Sequence, residues 1–554
     1  MKKILTILFL VLPVILICLP IPEFDAFHKQ ITLQTAKWQG THSPQEDSRE
    51  YEVGDTQTYW SWDLSIMPPT WIQTPATCRA VGEHCYVFVA DDQWNINMDQ
   101  SDVDIVFNYL ENETMNSTDY GAIEMDINLF GPIPDEIDND PKIIVFYSEL
   151  GSFGGSSFDG YFSAYNQVTE AQAQQMNPPG HSNECEMIYM TCSPLNPVEP
   201  IRISVLAHEL QHMIHWGTDI NEETWLNEGC SELAMVYFGL PDPITVFPSS
   251  PDNQLNVWNQ EWADYVKVML FFTYLEEQYD TEENELIRDI VADPTNGLES
   301  VINQLIDNGF QIPFESVFLN WTIANYIDDP DLEQGQYGYE GLDLPNFSTS
   351  GSHTAFPVNA AGTVQSWAAD YIRVFPNGEN ILHNITVNKD NQSIGLIKKL
   401  NDVDEFEVEG FNVNGTWTGY VPPEWDDLYY YVVYVYANHS GSLLEYSYDL
   451  EEVVSVEEET MPEIQQISCY PNPYYGNSGG INFSINSSGI RNSEIEIFNI
   501  KGQKVKSLPF ASQEKSSIIW DGMNENGKPV NNGVYFYRFT IDENIVTKKV
   551  LILK

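Results

Sequence analysis

Apolar and polar positions change rhythm several times along this chain. Residues 1–20, "MKKILTILFLVLPVILICLP", set two lysines before a continuous apolar run that ends at a proline. From residue 84 onward, "HCYVFVADDQW" and "PKIIVFYSEL" are apolar runs of strand length. Between them "DVDIVFNYLEN" repeats its apolar residues at three- and four-residue steps and predicts a helix. A Gly- and Ser-rich loop, "GSFGGSSFDG", then leads to a strand, "EMIYM", and a helix, "ISVLAHELQHMIHW". "NEETWLNEGCSELAMVYF", "DYVKVMLFFTYLEEQY" and "IPFESVFLNWTIANYI" continue as helices. Near residue 350 the texture becomes short alternating runs, "ADYIRVF", "LYYYVVYVYA" and "LEYSYDL", which read as a β-sandwich. After the acidic "EEVVSVEEETMPEIQQ" come "INFSI", "EIEIFNI", "SIIW", "GVYFYRF" and "KKVLIL", with Asp-Gly and Asn-Gly turn signals between them.

These shifts divide a 554-residue chain, too long for one hydrophobic core, into six segments. They are a signal peptide over 1–27, a polar Trp-rich N-terminal extension over 28–75, an α+β domain over 76–348, a β-sandwich-like domain over 350–452, an acidic linker over 453–466 and a small β-sandwich over 467–554. The leading lysines and apolar run have the layout of a secretory signal. A membrane anchor is the alternative, since the run nearly spans a bilayer. Pro13, Pro20 and the lack of a later apolar span favour export, with no transmembrane anchor in the mature chain. Cys18 follows Ile17 and not a small residue, which argues against a lipoprotein cleavage site.

Net charge narrows the partners. At −58 the chain repels phosphate backbones and anionic lipid, so nucleic acid is excluded as a partner. The last 86 residues depart from this: 10 basic and 7 acidic side chains give +3, leaving 14 basic and 75 acidic on residues 1–468, or −61. That contrast is compatible with recognition of the tail by separate machinery. Six cysteines remain after Cys18, and export predicts that some are oxidised. Cys185 and Cys192 flank a strand, which holds their Cα atoms about 23 Å apart, beyond the reach of a disulfide. Cys78 and Cys85 flank a Gly-containing turn and could close, or these two groups could pair with each other.

Candidate chemistry concentrates in "HELQH", residues 208–212. A helix puts positions i and i+4 on one face, so His208 and His212 can aim at one ion. Glu209 then stands beside the first ligand, placed to take a proton from an attacking water. The motif alone is weak in a chain this long, and a helix bearing structural histidines is the plain alternative. A catalytic zinc needs a third protein ligand. The metzincin spacing would put Gly at 215 and His at 218, where this chain has His215 and Thr218, and Asp219 falls one position too far. Glu228, on the next expected helix, fits, and Glu232 one turn later could hydrogen-bond a ligand histidine or simply be an exposed carboxylate. Tyr265 and His215 are candidate donors to a developing oxyanion, and both could equally be packing residues. "KIIVFYSEL" or "EMIYM" could offer an edge for an extended peptide. "DEIDNDP" could bind structural Ca2+ through closely spaced carboxylates, although it reads more simply as a solvated turn.

"AHELQHMIHW" followed by "TWLNEGCSELA" resembles the gluzincin peptidases, and within them secreted bacterial peptidases of the hyicolysin and immune-inhibitor-A kind. The likeness covers about residues 78–345 and is specific at the two zinc motifs. It implies a zincin-like fold, Zn2+ held by His208, His212 and Glu228, Glu209 as general base, and a protein or peptide substrate. The step from His212 to Glu228 is shorter than in thermolysin, so no further thermolysin residues transfer. A second resemblance covers about 467–554: "YPNPYYGNSGGINFSI", "EIFNIKGQKVKSL", "WDGMNENGKPVNNGVYFYRF" and "KKVLILK" are similar in order to the C-terminal sorting domain of type IX secretion substrates. It implies outer-membrane passage in a Gram-negative bacterium, engagement of the secretion machinery, and release or surface attachment. The expected activity is therefore a secreted zinc endopeptidase. One rival is a catalytically inactive surface-binding protein on a zincin scaffold. Another is a zinc aminopeptidase, suggested by "WLNEG" but lacking a Gly-rich exopeptidase motif before the helix.

Overall fold

The computed structural model describes Ile31, Gln34, Thr35, residues 50–452 and residues 466–552, apart from short stretches at 67, 154–155, 281–284, 377–380, 401–404, 422–428, 471, 473, 475–479, 487–492, 500–502, 511–515 and 542–543. The expected signal peptide and nearly all of the acidic linker lie outside the described residues. Two compact units result, Met1–Val453 and Val454–Lys554. The chain is thus multidomain and mixed α/β, with a β-rich C-terminal region.

The first unit begins as a six-stranded sheet. Strands β1 (Thr56–Asp63), β2 (Thr70–Val81) and β3 (Cys85–Ala90) pair antiparallel. The N-terminal extension therefore supplies strands to the sheet. Helices α1 (Gln100–Glu111) and α2 (Ala122–Phe130) precede β4 (Ile143–Glu149), which lies parallel to β3. A three-residue strand, β5 (Gly160–Phe162), and β6 (Met187–Ser193) complete the order β1-β2-β3-β4-β6-β5. Strands β4 and β6 are parallel, while β5 runs antiparallel to β6 and forms the edge. The two apolar runs expected to offer a peptide-binding edge are thus interior strands. Their side chains are buried on both faces, which is why they read as continuous and not alternating runs.

Strand alternation also explains the cysteines. Cys85, Val87, Val89 and Cys192 point into the core shared with the helices, whereas Cys78, Tyr86, Phe88 and Cys185 point into the opposite core. Cys78 and Cys85 therefore face opposite sides of the sheet and do not close on each other. All six described cysteines are unbridged, contrary to the expectation that some are oxidised.

Helices α3 (Pro200–Thr218), α4 (Thr224–Phe238), α5 (Trp262–Tyr279), α6 (Leu286–Ala292), α7 (Leu298–Asp307) and α8 (Phe314–Ile327) build the other half. Proline at the first helical position starts α3, where its missing N–H costs nothing. Gly239, in the left-handed region at φ 97°, ends α4. Helix α5 is apolar nearly all round and accordingly sits in the middle of the helical layer. Its one buried cation, Lys267, reaches Asp264 (2.6 Å), Asn253 Oδ1 (2.8 Å) and the Val257 carbonyl (2.6 Å). Lys267→Ala should strand Asp264 in that core and lower stability by about 3–5 kcal/mol, readable in urea unfolding of the full chain.

Nine further strands make two facing sheets, over Gly351–Glu452. The strand "YYYVVYVYAN" (Tyr429–Asn438) shows how they join the helical layer. Val432, Tyr434 and Tyr436 fill the core between the sheets, while Val433, Val435 and Ala437 pack into the core of the helices. Tyr371 also donates its hydroxyl to the Thr322 carbonyl of α8 (2.7 Å). In the second unit a three-stranded and a four-stranded antiparallel sheet enclose a small core around Phe483, Ile495, Ile497, Trp520 and Tyr537. Among the described residues no helix is long and apolar enough to cross a membrane.

Candidate metal centre

Helices α3 and α4 lie side by side, and each supplies donors to one point. His208 and His212 stand one turn apart on α3, with Nε2 atoms 3.2 Å apart. Glu228 of α4 brings Oε2 to 3.5 Å from His208 Nε2 and 3.7 Å from His212 Nε2. All three donor atoms fall within 4.8 Å of one another. A tetrahedral ion about 2.1 Å from each ligand needs ligand atoms about 3.4 Å apart, so this triangle has the right size, and two imidazoles with one carboxylate suit zinc. Gly229, next to the third donor, seats α4 against α5. A Cβ there would stand 2.3 Å from the Phe272 ring of α5, so only glycine lets this turn of α4 settle.

The other imidazole nitrogens are held by different means. Glu232 is almost wholly buried and sets Oε1 3.3 Å from His208 Nδ1. Of its two readings in the sequence, the exposed carboxylate is therefore excluded. On His212, Nδ1 lies 3.0 Å from Ser231 Oγ. Ser231 donates to Gln211 Oε1 (2.5 Å), and Gln211 Nε2 lies 3.3 Å from His215 Nδ1. One hydroxyl proton fixes the direction of this relay. With it given to Gln211, the Nδ1–H of His212 donates to Ser231 and the Nε2 lone pair faces the donor triangle. Ser231→Ala should lower zinc affinity about tenfold by freeing that ring, measured by competition with a zinc-binding dye.

His215 is fully buried, and burial first, with His212 second, depresses its pKa to about 3. It is a neutral acceptor at the buried end of the relay. Tyr265 packs its ring edge-on to Trp258 (4.7 Å) and beside Trp262 (6.2 Å). Asp219 caps the end of α3 and accepts the Asn221 N–H.

Glu209 turns toward the edge strand, where its Oε2 accepts the Phe162 N–H (2.9 Å). Burial, reinforced by the charge on Glu228 and opposed by His208, raises its carboxyl to about 7. That value suits proton exchange near neutral pH. For His208, burial opposes a proton, but Glu228 and Glu232 outweigh it and hold the ring well above its ordinary value. The same negative charge would favour a divalent cation in place of the proton.

Three contributors escape sequence reading. Asp126 of α2 is completely buried, with neither oxygen hydrogen-bonded, and it acts electrostatically on His208. An acid on the apolar face of "AIEMDINLF" is the signal that could have found it. Asp242 is coupled electrostatically to Glu232 and His208. It lines a cavity of about 540 Å3 with Pro241, Ile244, Leu342, Leu344 and Pro345. Strand β5, at three residues, is too short for any periodicity to announce it.

Residues 468–553 match the family described as the secretion system C-terminal sorting domain. The second unit is therefore a sorting tail, which marks a secreted or cell-surface protein of a Gram-negative bacterium and implies contact with secretion machinery. No curated protein matches the chain. Among solved structures, PorZ, a surface component of the type-IX secretion system of Porphyromonas gingivalis, is similar at 14% identity and TM-score 0.15, over 22% of this chain and 15% of its own. Latent dimeric PorU of the same organism is similar at 18% identity and TM-score 0.17, over 34% and 18%. This chain thus spans less than a fifth of either one, and neither likeness extends to the fold as a whole.

Proposed function

We propose that the protein is a secreted zinc endopeptidase. The observation that carries this reading is the convergence of His208, His212 and Glu228 on one point, with Glu209 beside it and hydrogen-bonded to the edge strand of the sheet. Bound there, zinc would supply Lewis acidity to the scissile carbonyl and to the attacking water. Glu209 takes the proton of that water and returns it to the leaving amine. Its contact with Phe162 N–H leaves Oε1 for this exchange.

Substrate binding follows from strand alternation. Asp159 pairs inward through its carbonyl to the Thr191 N–H (2.9 Å), and Tyr161 stands opposite Tyr189. Gly160 therefore presents its backbone groups outward, where an extended peptide can pair beside Glu209, which itself takes the outward Phe162 N–H. The ion pair Arg202 Nε–Asp159 Oδ1 (2.7 Å) ties this strand to the first turn of α3 and keeps edge and metal point in register.

The test is metal content and chelator-sensitive proteolysis of the purified mature protein. One zinc per chain is expected, together with cleavage of casein that 1,10-phenanthroline abolishes and added zinc restores. Protein that takes up no transition metal and leaves casein intact would instead be a binding protein built on this scaffold.

A further inference from the structure

Glu186 immediately precedes β6 and is 2% exposed. Both of its carboxylate oxygens are buried, and no neighbouring residue's N–H or hydroxyl donates to either. Buried polar groups almost always have partners, so this pair of orphaned acceptors requires an explanation. What faces Glu186 is two more carboxylates: one oxygen from each of Asp135, Asp138 and Glu186 lies within 4.8 Å of the others. Both aspartates come from "DEIDNDP", the stretch that reads as a solvated turn. The structure corrects that reading, since Asp138 and Asp140 are buried and only Asp135 of the three opens to solvent.

Local donors do not resolve the conflict. The Asp140 N–H goes to Asp138 Oδ1 (3.0 Å), and the Lys142 N–H and Tyr86 hydroxyl go to Asp140 (3.1 and 3.0 Å). None reaches Glu186. Burial first, then the charge on Asp138, pushes the Glu186 carboxyl up to about 10. The cluster thus calls for positive charge, as a proton or as an ion.

We propose that Asp135, Asp138 and Glu186 form a second cation site that takes calcium, distinct from the His208–His212–Glu228 centre. An all-oxygen, all-carboxylate donor set without nitrogen or sulfur suits a hard cation. Three carboxylates converging from two chain segments favour calcium, which accepts six to eight oxygens in flexible geometry, over magnesium, which keeps most of its water. Exposed Asp135 provides the way in. The site would pin the 131–142 loop to the entry of the central strands, where the Ile144 N–H already donates to the Glu186 carbonyl (2.8 Å). Pro134 of that loop sits 3.1 Å from where a Cβ on Gly217 would stand, against the end of α3, five residues beyond His212. Calcium would thereby brace the helix that carries two of the zinc donors.

Thermal unfolding of the full mature chain tests this, after removal of calcium by passage over a chelating resin and reconstitution with one equivalent of zinc. Titration with calcium chloride should raise Tm by about 3 °C at 10 mM, with an apparent dissociation constant of about 10⁻⁴–10⁻³ M. Glu186→Gln removes the buried charge, and Asp135→Asn, at an exposed position, guards against a misfolded first variant. A calcium-induced rise cut by at least half in either folded variant supports the site. No rise in the wild type, or a rise that survives in both variants, overturns it. Zinc content, measured alongside, separates this outcome from any failure of the proposed peptidase centre.

Discussion

Glu209→Gln should lower casein hydrolysis at least about 10³-fold while leaving zinc at one per chain. The substitution is nearly isosteric, and a glutamine carbonyl can still accept the Phe162 N–H that holds Glu209 against the edge strand. What it removes is the site that exchanges a proton with the attacking water. It also takes one negative charge from a crowded cluster, in which the charge on Glu228 raises the Glu209 carboxyl. Metal binding should therefore change little, and the effect should appear in kcat and not in KM. Full activity in this variant would mean that another group, such as the buried acids Glu232 or Asp126 that act on His208, moves the proton.

How far the sequence reveals this site depends on the range of the signal. His208, Glu209 and His212 are legible because a single helix enforces their spacing, and Glu228 because a second helix follows at once. Ser231 and Gln211 lie within the same motifs but read only as helix polar residues, because their role depends on one hydroxyl facing a ring across the α3–α4 contact. Asp126 and Asp242 reach the site through long-range packing that local pattern does not encode. The same limit applies to the fold. The parallel pair β4 and β6 is legible as apolar runs, but which strand forms the edge is decided by β5, whose three residues start at the last glycine of the Gly- and Ser-rich loop. The rhythm change near residue 350 is real in the strands, yet the run of tyrosines and valines at 429–438 carries two cores at once. Export chemistry predicts oxidised cysteines, but alternation along β2 and β3 sends Cys78 and Cys85 to opposite faces.

Glu228→Ala is the sharper test of the metal centre, because a helix interior tolerates alanine and the fold should survive. The side chain is partly exposed, so the metal-free variant should unfold within about 1 kcal/mol of the metal-free wild type. Zinc is a different matter. Four-ligand structural sites bind with about 10–16 kcal/mol, or about 2.5–4 kcal/mol per ligand, so one lost ligand corresponds to about 10²–10³-fold weaker binding. Two imidazoles 3.2 Å apart would remain, held by Glu232 and by the Ser231 relay, and should still capture zinc at high concentration. Casein cleavage should accordingly vanish at micromolar zinc and return in part at millimolar zinc. Wild-type zinc affinity in Glu228→Ala would remove the third ligand from the scheme and leave the two-helix convergence as packing.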